Sequence, residues 1–422
     1  MSWDERKGGD ILNSRERVLA AVNFREADRV PIDIGGTQVS GLCIDHYCEL
    51  LKFLHIEETP KVYEQFEMLA RVEEPVRRRV HGDVISLENP SMRWGLHNKD
   101  WKRWRTFKGN DVLMPGDFNP VTDEKGGLWI RGKDKTPVAY MAKDTLYFEF
   151  GCGTAISEEI VKMDPQKWYE SIALYTDEEL KQIGSEAKNL HENTEYAVFG
   201  EFGRGGLGTN GLFAGHTITD WLCILLTERE YADELLQATA ERALENTRLY
   251  LEAVGNNIDI LFVSGTDYGT QRAVLFNPEI WRESFLPRFK MINDYVHKAC
   301  RAKTFIHSCG SVYSIIEYII EAGFDILNPV QATAAGMDAK RLKEEFGGRI
   351  AFWGGGVDTQ TVLPFGTAEE VAEQVKERLR IFAPGGGFVF NPTHCIQYGV
   401  PPENLLAAAD TAYIYGAYPI QI

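Results

Sequence analysis

A chain of 422 residues with ordinary apolar content has room for one large domain with insertions or for two modest ones. Its formal net charge of −17 argues against a generally basic face for nucleic acid. No run of roughly 18 apolar residues offers a membrane span. The first residues, Met1 to Lys7, are charged and lack the apolar core of a secretion signal, so the cytoplasm is the expected location. The seven cysteines are scattered and odd in number, which favours free thiols, any special ones acting as ligands or nucleophiles.

In chain order, a first helix is expected over Ser14–Asn23, capped at Asn13 or Ser14, plugging a barrel bottom or packing on its side. Short apolar runs then predict strands at Val30–Ile34, Asp83–Leu87, Tyr196–Gly200, Ile258–Ser264, Lys303–Ser308, Ile326–Val330, Arg349–Trp353 and Gly387–Asn391. Helical patterns lie between many of them, at Asp233–Leu251, Glu279–Lys298, Ser311–Ala322, Ala339–Phe346 and Ala368–Phe382. Strand–helix alternation implies parallel pairing, and eight such units predict an α/β fold, a (β/α)8 TIM barrel over residues 1–422. An open doubly wound sheet is the alternative.

The rhythm breaks between Asn89 and Ile156, where no helical pattern appears and Trp94, Trp101, Trp104 and Trp129 stand among Gly and Pro. Leu128–Arg131 and Pro137–Met141 flank Gly132-Lys133-Asp134-Lys135-Thr136 as a hairpin. Residues 89–156 are therefore expected to be a mostly β insertion after strand two, over the face where barrels keep their active sites. It reads either as a lid or docking surface, or as a packed satellite whose tryptophans fill its own core.

The chemistry centres on His307-Ser308-Cys309, two soft-metal ligands two residues apart, which share one face of a strand. Cys395, after the last strand, would complete a three-ligand zinc set with one open position. The bland reading is a buried cysteine and a hydrogen-bonded core histidine. His394 would point away from Cys395 on extended backbone and is assigned a supporting role. Glu201 and Asp267, at the ends of strands three and four, are the candidate catalytic carboxylates or fourth ligand. Asp267 also reads as a helix cap. Gly354-Gly355-Gly356 ends strand seven, the usual phosphate corner of such barrels, and is the candidate cofactor-binding stretch. The runs Gly203–Gly208 and Gly385–Gly387 are not dinucleotide fingerprints.

Several segments in order resemble the uroporphyrinogen decarboxylase superfamily over nearly the whole chain apart from the insertion. They are Arg15-Glu16-Arg17-Val18-Leu19 with Asp28-Arg29-Val30-Pro31; Asp267-Tyr268-Gly269-Thr270-Gln271; His307-Ser308-Cys309-Gly310; and Asn391-Pro392-Thr393-His394 leading to Val400-Pro401-Pro402-Glu403-Asn404-Leu405. The resemblance implies a (β/α)8 barrel. Its decarboxylase branch carries an Arg-Gln-Ala-Gly-Arg signature for substrate carboxylates, whereas this chain reads Asp33-Ile34-Gly35-Gly36-Thr37-Gln38-Val39-Ser40. Its other branch, corrinoid-dependent methyltransferases such as those acting on coenzyme M, binds zinc through His-x-Cys and a later Cys, matching His307, Cys309 and Cys395.

The resemblance therefore implies methyl transfer between a small molecule and the cobalt of a separate corrinoid protein, since no Asp-x-His-x-x-Gly corrinoid-binding pattern occurs here. The aromatic-rich insertion favours a methoxylated aromatic as donor, that is, O-demethylation. The alternatives are transfer from a methylated corrinoid to a thiol, a uroporphyrinogen-type decarboxylase, and a non-catalytic corrinoid- or metal-binding module.

Overall fold

The computed structural model describes residues 11–132, 135–150, 160–201, 204, 206–207 and 213–422. Outside them fall Met1 to Lys7, the hairpin tip Lys133–Asp134, residues 151–156 of the expected insertion, and Gly203, Gly205 and Gly208.

The strands are, in chain order, β1 (Leu42–Cys43), β2 (Val62–Glu64), β3 (Leu69–Ala70), β4 (Val84–Leu87), β5 (Lys102–Arg105), β6 (Asp111–Met114), β7 (Val121–Thr122), β8 (Leu128–Arg131), β9 (Pro137–Met141), β10 (Glu149–Phe150), β11 (Ala197–Gly200), β12 (Ile260–Gly265), β13 (Lys303–His307), β14 (Ile326–Asn328), β15 (Ala351–Trp353) and β16 (Phe388–Val389). Seven of them form one curled parallel sheet in the order β16-β15-β14-β13-β12-β11-β4. Helices such as Arg229–Val254, Leu286–Ala299, Ala339–Phe346 and Ala368–Phe382 alternate with the strands. This is the α/β barrel plan that the alternation implied, and the sheet curls rather than opening into two wound halves.

The two sheet edges meet at the expected first strand. Asp83 N–H donates to the Ile32 carbonyl (2.7 Å) on the β4 side, while Asp33 N–H donates to the Phe390 carbonyl (2.8 Å) and Phe390 N–H to the Pro31 carbonyl (2.8 Å) on the β16 side. Residues 30–34 make bridges rather than a regular ladder, for two reasons. Pro31 has no N–H to give. The Ile32 N–H is taken by the Asp83 carboxylate (2.8 Å) instead of a neighbouring carbonyl. That carboxylate also accepts from Arg17 Nη1 (2.7 Å) and Arg29 Nη1 (2.6 Å), a buried ionic knot that ties the first helix to the barrel.

Alternate residues on the strands point inward, and they are large and apolar: Phe199, Phe262, Phe305 and Trp353 stack with ring centroids 5.0 to 6.1 Å apart. Burial of each contributes about 1.5–3 kcal/mol. Val18, Ala21 and Val22 of the helix Ser14–Val22 join this cluster, so that helix is the plug of one barrel end. Its start is a capping box: Asn13 Oδ1 accepts from Glu16 N–H (2.9 Å) and Glu16 Oε2 from Asn13 N–H (3.0 Å).

Between β4 and β10 the described residues contain no α-helix, only a tight turn at Arg93–Gly95. They carry the antiparallel hairpin β5–β6 and the antiparallel sheet β10-β9-β8-β7, with β8 and β9 at the expected residues. Trp94 and Trp104 pack with Phe118 and Phe148 at 5.7 to 6.1 Å, and Trp129 lies on Tyr140 at 4.5 Å. A second small sheet, β1-β3-β2, precedes β4 and has no counterpart in the sequence reading. Its strands of two or three residues are too short to show a period of two.

Candidate metal centre and substrate cavity

Inside β13, Phe305 fills the barrel interior, so His307, two residues on, points inward above it. Its Nδ1 faces Asn328 Oδ1 at 2.5 Å. The Asn328 amide cannot turn around, because its Nδ2 donates to the Trp353 carbonyl at 2.7 Å. Nδ1 therefore carries the proton and Nε2 presents a lone pair to the cavity. Burial lowers the imidazole pKa and so favours the neutral, ligating form.

Cys309 follows on a tight turn, its N–H held by Asp267 Oδ1 at 2.7 Å and its Sγ 3.4 Å from His307 Nε2. Two glycines let this turn pack against the loop after β12. A Cβ on Gly269 would meet the Cys309 carbonyl at 2.6 Å, and one on Gly310 (φ +86°) would meet the Gly269 backbone at 2.6 Å. Asp267 lines the cavity 3.7 Å from His307 Nε2.

The other half of the centre comes from the small sheet. Cys43 N–H donates to the Ile396 carbonyl and Ile396 N–H to the Gly41 carbonyl, both at 2.8 Å, so β1 clamps the segment carrying Cys395. The turn between β2 and β3 then brings Glu67 over the same place. Glu67, His394 and Cys395 place one ligand atom each within 4.8 Å of one another, and His307, Cys309 and His394 do likewise. Of the expected trio, His307 and Cys309 thus fall in one group and Cys395 in an adjoining one, with His394 common to both.

His394 does not point away from Cys395. The chain bends at Thr393–His394, which cancels the alternation expected of extended backbone, and both residues line the cavity. Glu67 and His394 are the functional candidates that the sequence reading left out or played down. Only the adjacency of His394 to Cys395 offered a signal. The thiols of Cys309 and Cys395 are pushed up by burial and then by nearby carboxylates, a cost that a bound cation would reverse.

The two expected carboxylates part company. Asp267 is in the cavity, whereas Glu201 is fully buried behind it, accepting from Gln38 N–H and Ser86 Oγ–H at 2.9 Å each. Gln38 in turn accepts from Cys395 Sγ through its carbonyl (3.0 Å), so Glu201 stands one residue away from the centre. Burial pushes its carboxyl up to about 8. Gly354, Gly355 and Gly356 are buried and line no part of the cavity. A Cβ on Gly355 would meet the Val330 carbonyl at 2.3 Å and one on Gly356 the Phe390 ring at 2.4 Å, so close packing alone demands glycine here.

The cavity measures about 510 Å³. One wall is the centre itself. Much of the rest of the lining is aromatic, with Phe66, Tyr147, Phe148 and Phe150 joined by Phe262 from β12. The insertion is fastened to the small sheet among these rings, by Phe148 N–H donating to the Phe66 carbonyl at 2.8 Å. A mixed His/Cys/carboxylate donor set suits zinc, and the rings suit a flat apolar ligand beside it.

Residues 212–415 match the uroporphyrinogen decarboxylase (URO-D) family. A methyltransferase from Methanosarcina mazei has a similar fold, with a TM-score of 0.57 at 15 % identity, covering 96 % of this chain and 99 % of that one. A dihydropteroate synthase from Xanthomonas albilineans overlaps 42 % of this chain and 76 % of its own at a TM-score of 0.27 and 16 % identity. Among curated proteins none matches.

Proposed function

Starting from a uroporphyrinogen decarboxylase family domain at residues 212–415, in a fold shared with a methyltransferase, we propose that this protein is a zinc-dependent methyltransferase acting on the cobalt of a separate corrinoid protein. The favoured methyl donor is a methoxylated aromatic. The observation that carries the proposal is a pair of adjoining ligand groups, His307 with Cys309 and His394, and Glu67 with His394 and Cys395, beside a cavity that His307, His394 and Cys395 line together with several aromatic rings.

His307, Cys309 and Cys395 are the proposed zinc ligands, with His394, Glu67 or substrate at the fourth position. When bound, zinc would supply Lewis acidity that makes an ether oxygen a better leaving group. The chain's own residues do the rest. Asn328 fixes the His307 ring, Asp267 holds the Cys309 turn, and the rings exclude water and hold the donor flat. With a partner's reduced corrinoid as methyl acceptor, its cobalt would supply the electron pair for the new bond to carbon, and the pair of the methyl C–O bond would stay on oxygen. The phenolate then takes a proton from solvent. Holding donor and acceptor in line supplies much of the rate.

Decarboxylation of a polycarboxylate is disfavoured by the cavity's charge. Glu64, Glu67, Glu149 and Asp267 line it, and Arg93 is the one Lys or Arg among the described residues that do. The test is incubation of the zinc-loaded protein with a reduced corrinoid protein and a panel of methoxyarenes, methylamines and methanol. A change of the corrinoid spectrum with the methoxyarenes is the expected result. Silence there, and in the reverse assay with methylated corrinoid and thiols, would overturn the proposal.

A further inference from the structure

The turn that carries Arg93 is built against local preference. Trp94 sits at φ +60°, a region that bulky side chains avoid. It is held by Met92 N–H donating to the Leu96 carbonyl (2.7 Å) and by its ring packing on Phe148 and Phe66 at 5.7 and 6.0 Å. The turn aims Arg93 into the cavity wall, where its guanidinium lies over the rings of Phe66 (4.9 Å) and Phe150 (6.0 Å).

Stacking of this kind uses the flat face of a guanidinium and leaves its in-plane N–H fork for a ligand. Among the described residues, no hydrogen bond engages that fork. The nearest carboxylate is Glu64, at 3.9 Å from Nε, beyond hydrogen-bond reach, and the Arg93 side chain is 53 % exposed. The cavity's carboxylates are differently placed. Glu64 accepts the Glu67 N–H at 2.7 Å, Asp267 accepts the Cys309 N–H at 2.7 Å, and Glu67 stands in the metal group. These three acidic groups are committed to building the site, and the single guanidinium is not.

We propose that Arg93 is a specificity-determining residue that selects an aromatic carboxylate: its fork takes the carboxylate, and the ring lies against Phe66, Tyr147 and Phe148 with its methoxy end toward His307 and Cys309. This placement of the methoxy end rests on the methyltransferase reading, whereas the carboxylate contact does not. The acidic wall repels any anion, so recognition of one depends on Arg93.

The experiment is calorimetry on the zinc-loaded full chain, with no corrinoid present. The ligands are 4-methoxybenzoate, its neutral amide, 4-methoxyphenyltrimethylammonium and acetate. The acid is expected to bind roughly tenfold or more tighter than the amide, as a charge-assisted fork contact allows. Acetate should bind far more weakly. R93Q should bring acid and amide to the same affinity, and R93K should restore part of the difference. Equal affinity of acid and amide in the wild type, preference for the ammonium compound, or an unchanged acid preference in R93Q would overturn the inference. Methyl transfer from neutral methoxyarenes without preference for the acid would do so too, while leaving the methyltransferase reading intact. Arg93-dependent binding of the acid with no transfer in either direction would leave the anion contact standing and sink the methyltransferase reading.

Discussion

His307 Nδ1 and Asn328 Oδ1 lie 2.5 Å apart, and the Asn328 amide is locked by its bond to the Trp353 carbonyl, so one neighbour decides which imidazole nitrogen faces the cavity. Partners of this kind typically set ten- to a hundredfold of metal affinity. Asn328→Ala is therefore expected to weaken zinc binding by about that factor, read by competition against a chelating dye. Unchanged affinity would mean that His307 is not a ligand.

The two ligand groups share His394, and zinc K-edge absorption can tell which sulfurs take part. With His307, Cys309 and Cys395 as ligands, the wild type should show two sulfur neighbours at about 2.3 Å, and Cys395→Ser should show one. His394→Ala should keep its zinc. A single sulfur in the wild type, with zinc lost from the His394 variant, would move the centre to His307, Cys309 and His394.

Glu201 is buried, and its carboxyl is pushed up to about 8 from an ordinary 4.5. The folded state therefore keeps a proton that the unfolded chain releases. The stability tied to this proton is fully present below about 4.5 and is lost as pH rises toward 8. Glu201→Gln keeps an acceptor for Gln38 and Ser86 but does not titrate. Its melting temperature relative to wild type should rise between pH 5 and pH 8.5. A difference that stays constant would show that Glu201 is ionised in the fold.

Asp83 neutralises Arg17 and Arg29 at buried positions. Asp83→Ala strands the Arg29 guanidinium, leaves Arg17 with Asp28 alone and frees the Ile32 N–H, so a loss of about 3–5 kcal/mol is expected in denaturant unfolding. A loss under 1 kcal/mol would mean that water reaches the pair.

The barrel was legible because its strands are apolar runs and its helices repeat at the helical period. Seven expected strands overlap β4, β11, β12, β13, β14, β15 and β16, and the helices Ala339–Phe346 and Ala368–Phe382 fall at the expected residues. The eighth run, Val30–Ile34, lies between the sheet edges without a regular ladder, since Pro31 and the Asp83 carboxylate replace backbone pairing. His307 could be placed from the strand period alone, whereas Cys309 lies past the end of β13, on a turn set by the Asp267 carboxylate. Glu67 could not, because it sits on a turn between strands too short to recognise. His394 was misplaced because a bend leaves no mark on residue spacing. Arg93 owes its position to a left-handed tryptophan, which no propensity suggests.

The most direct test follows a labelled methyl group. Zinc-loaded and chelator-stripped protein would be mixed with reduced corrinoid protein and a methoxyarene carrying a 13C methyl group. The expected result is label on cobalt and an equal amount of the demethylated phenol, formed with the loaded protein, absent with the stripped one and restored by added zinc. Equal transfer by the stripped protein, or no transfer by the loaded one, would contradict zinc-dependent O-demethylation at His307, Cys309 and Cys395.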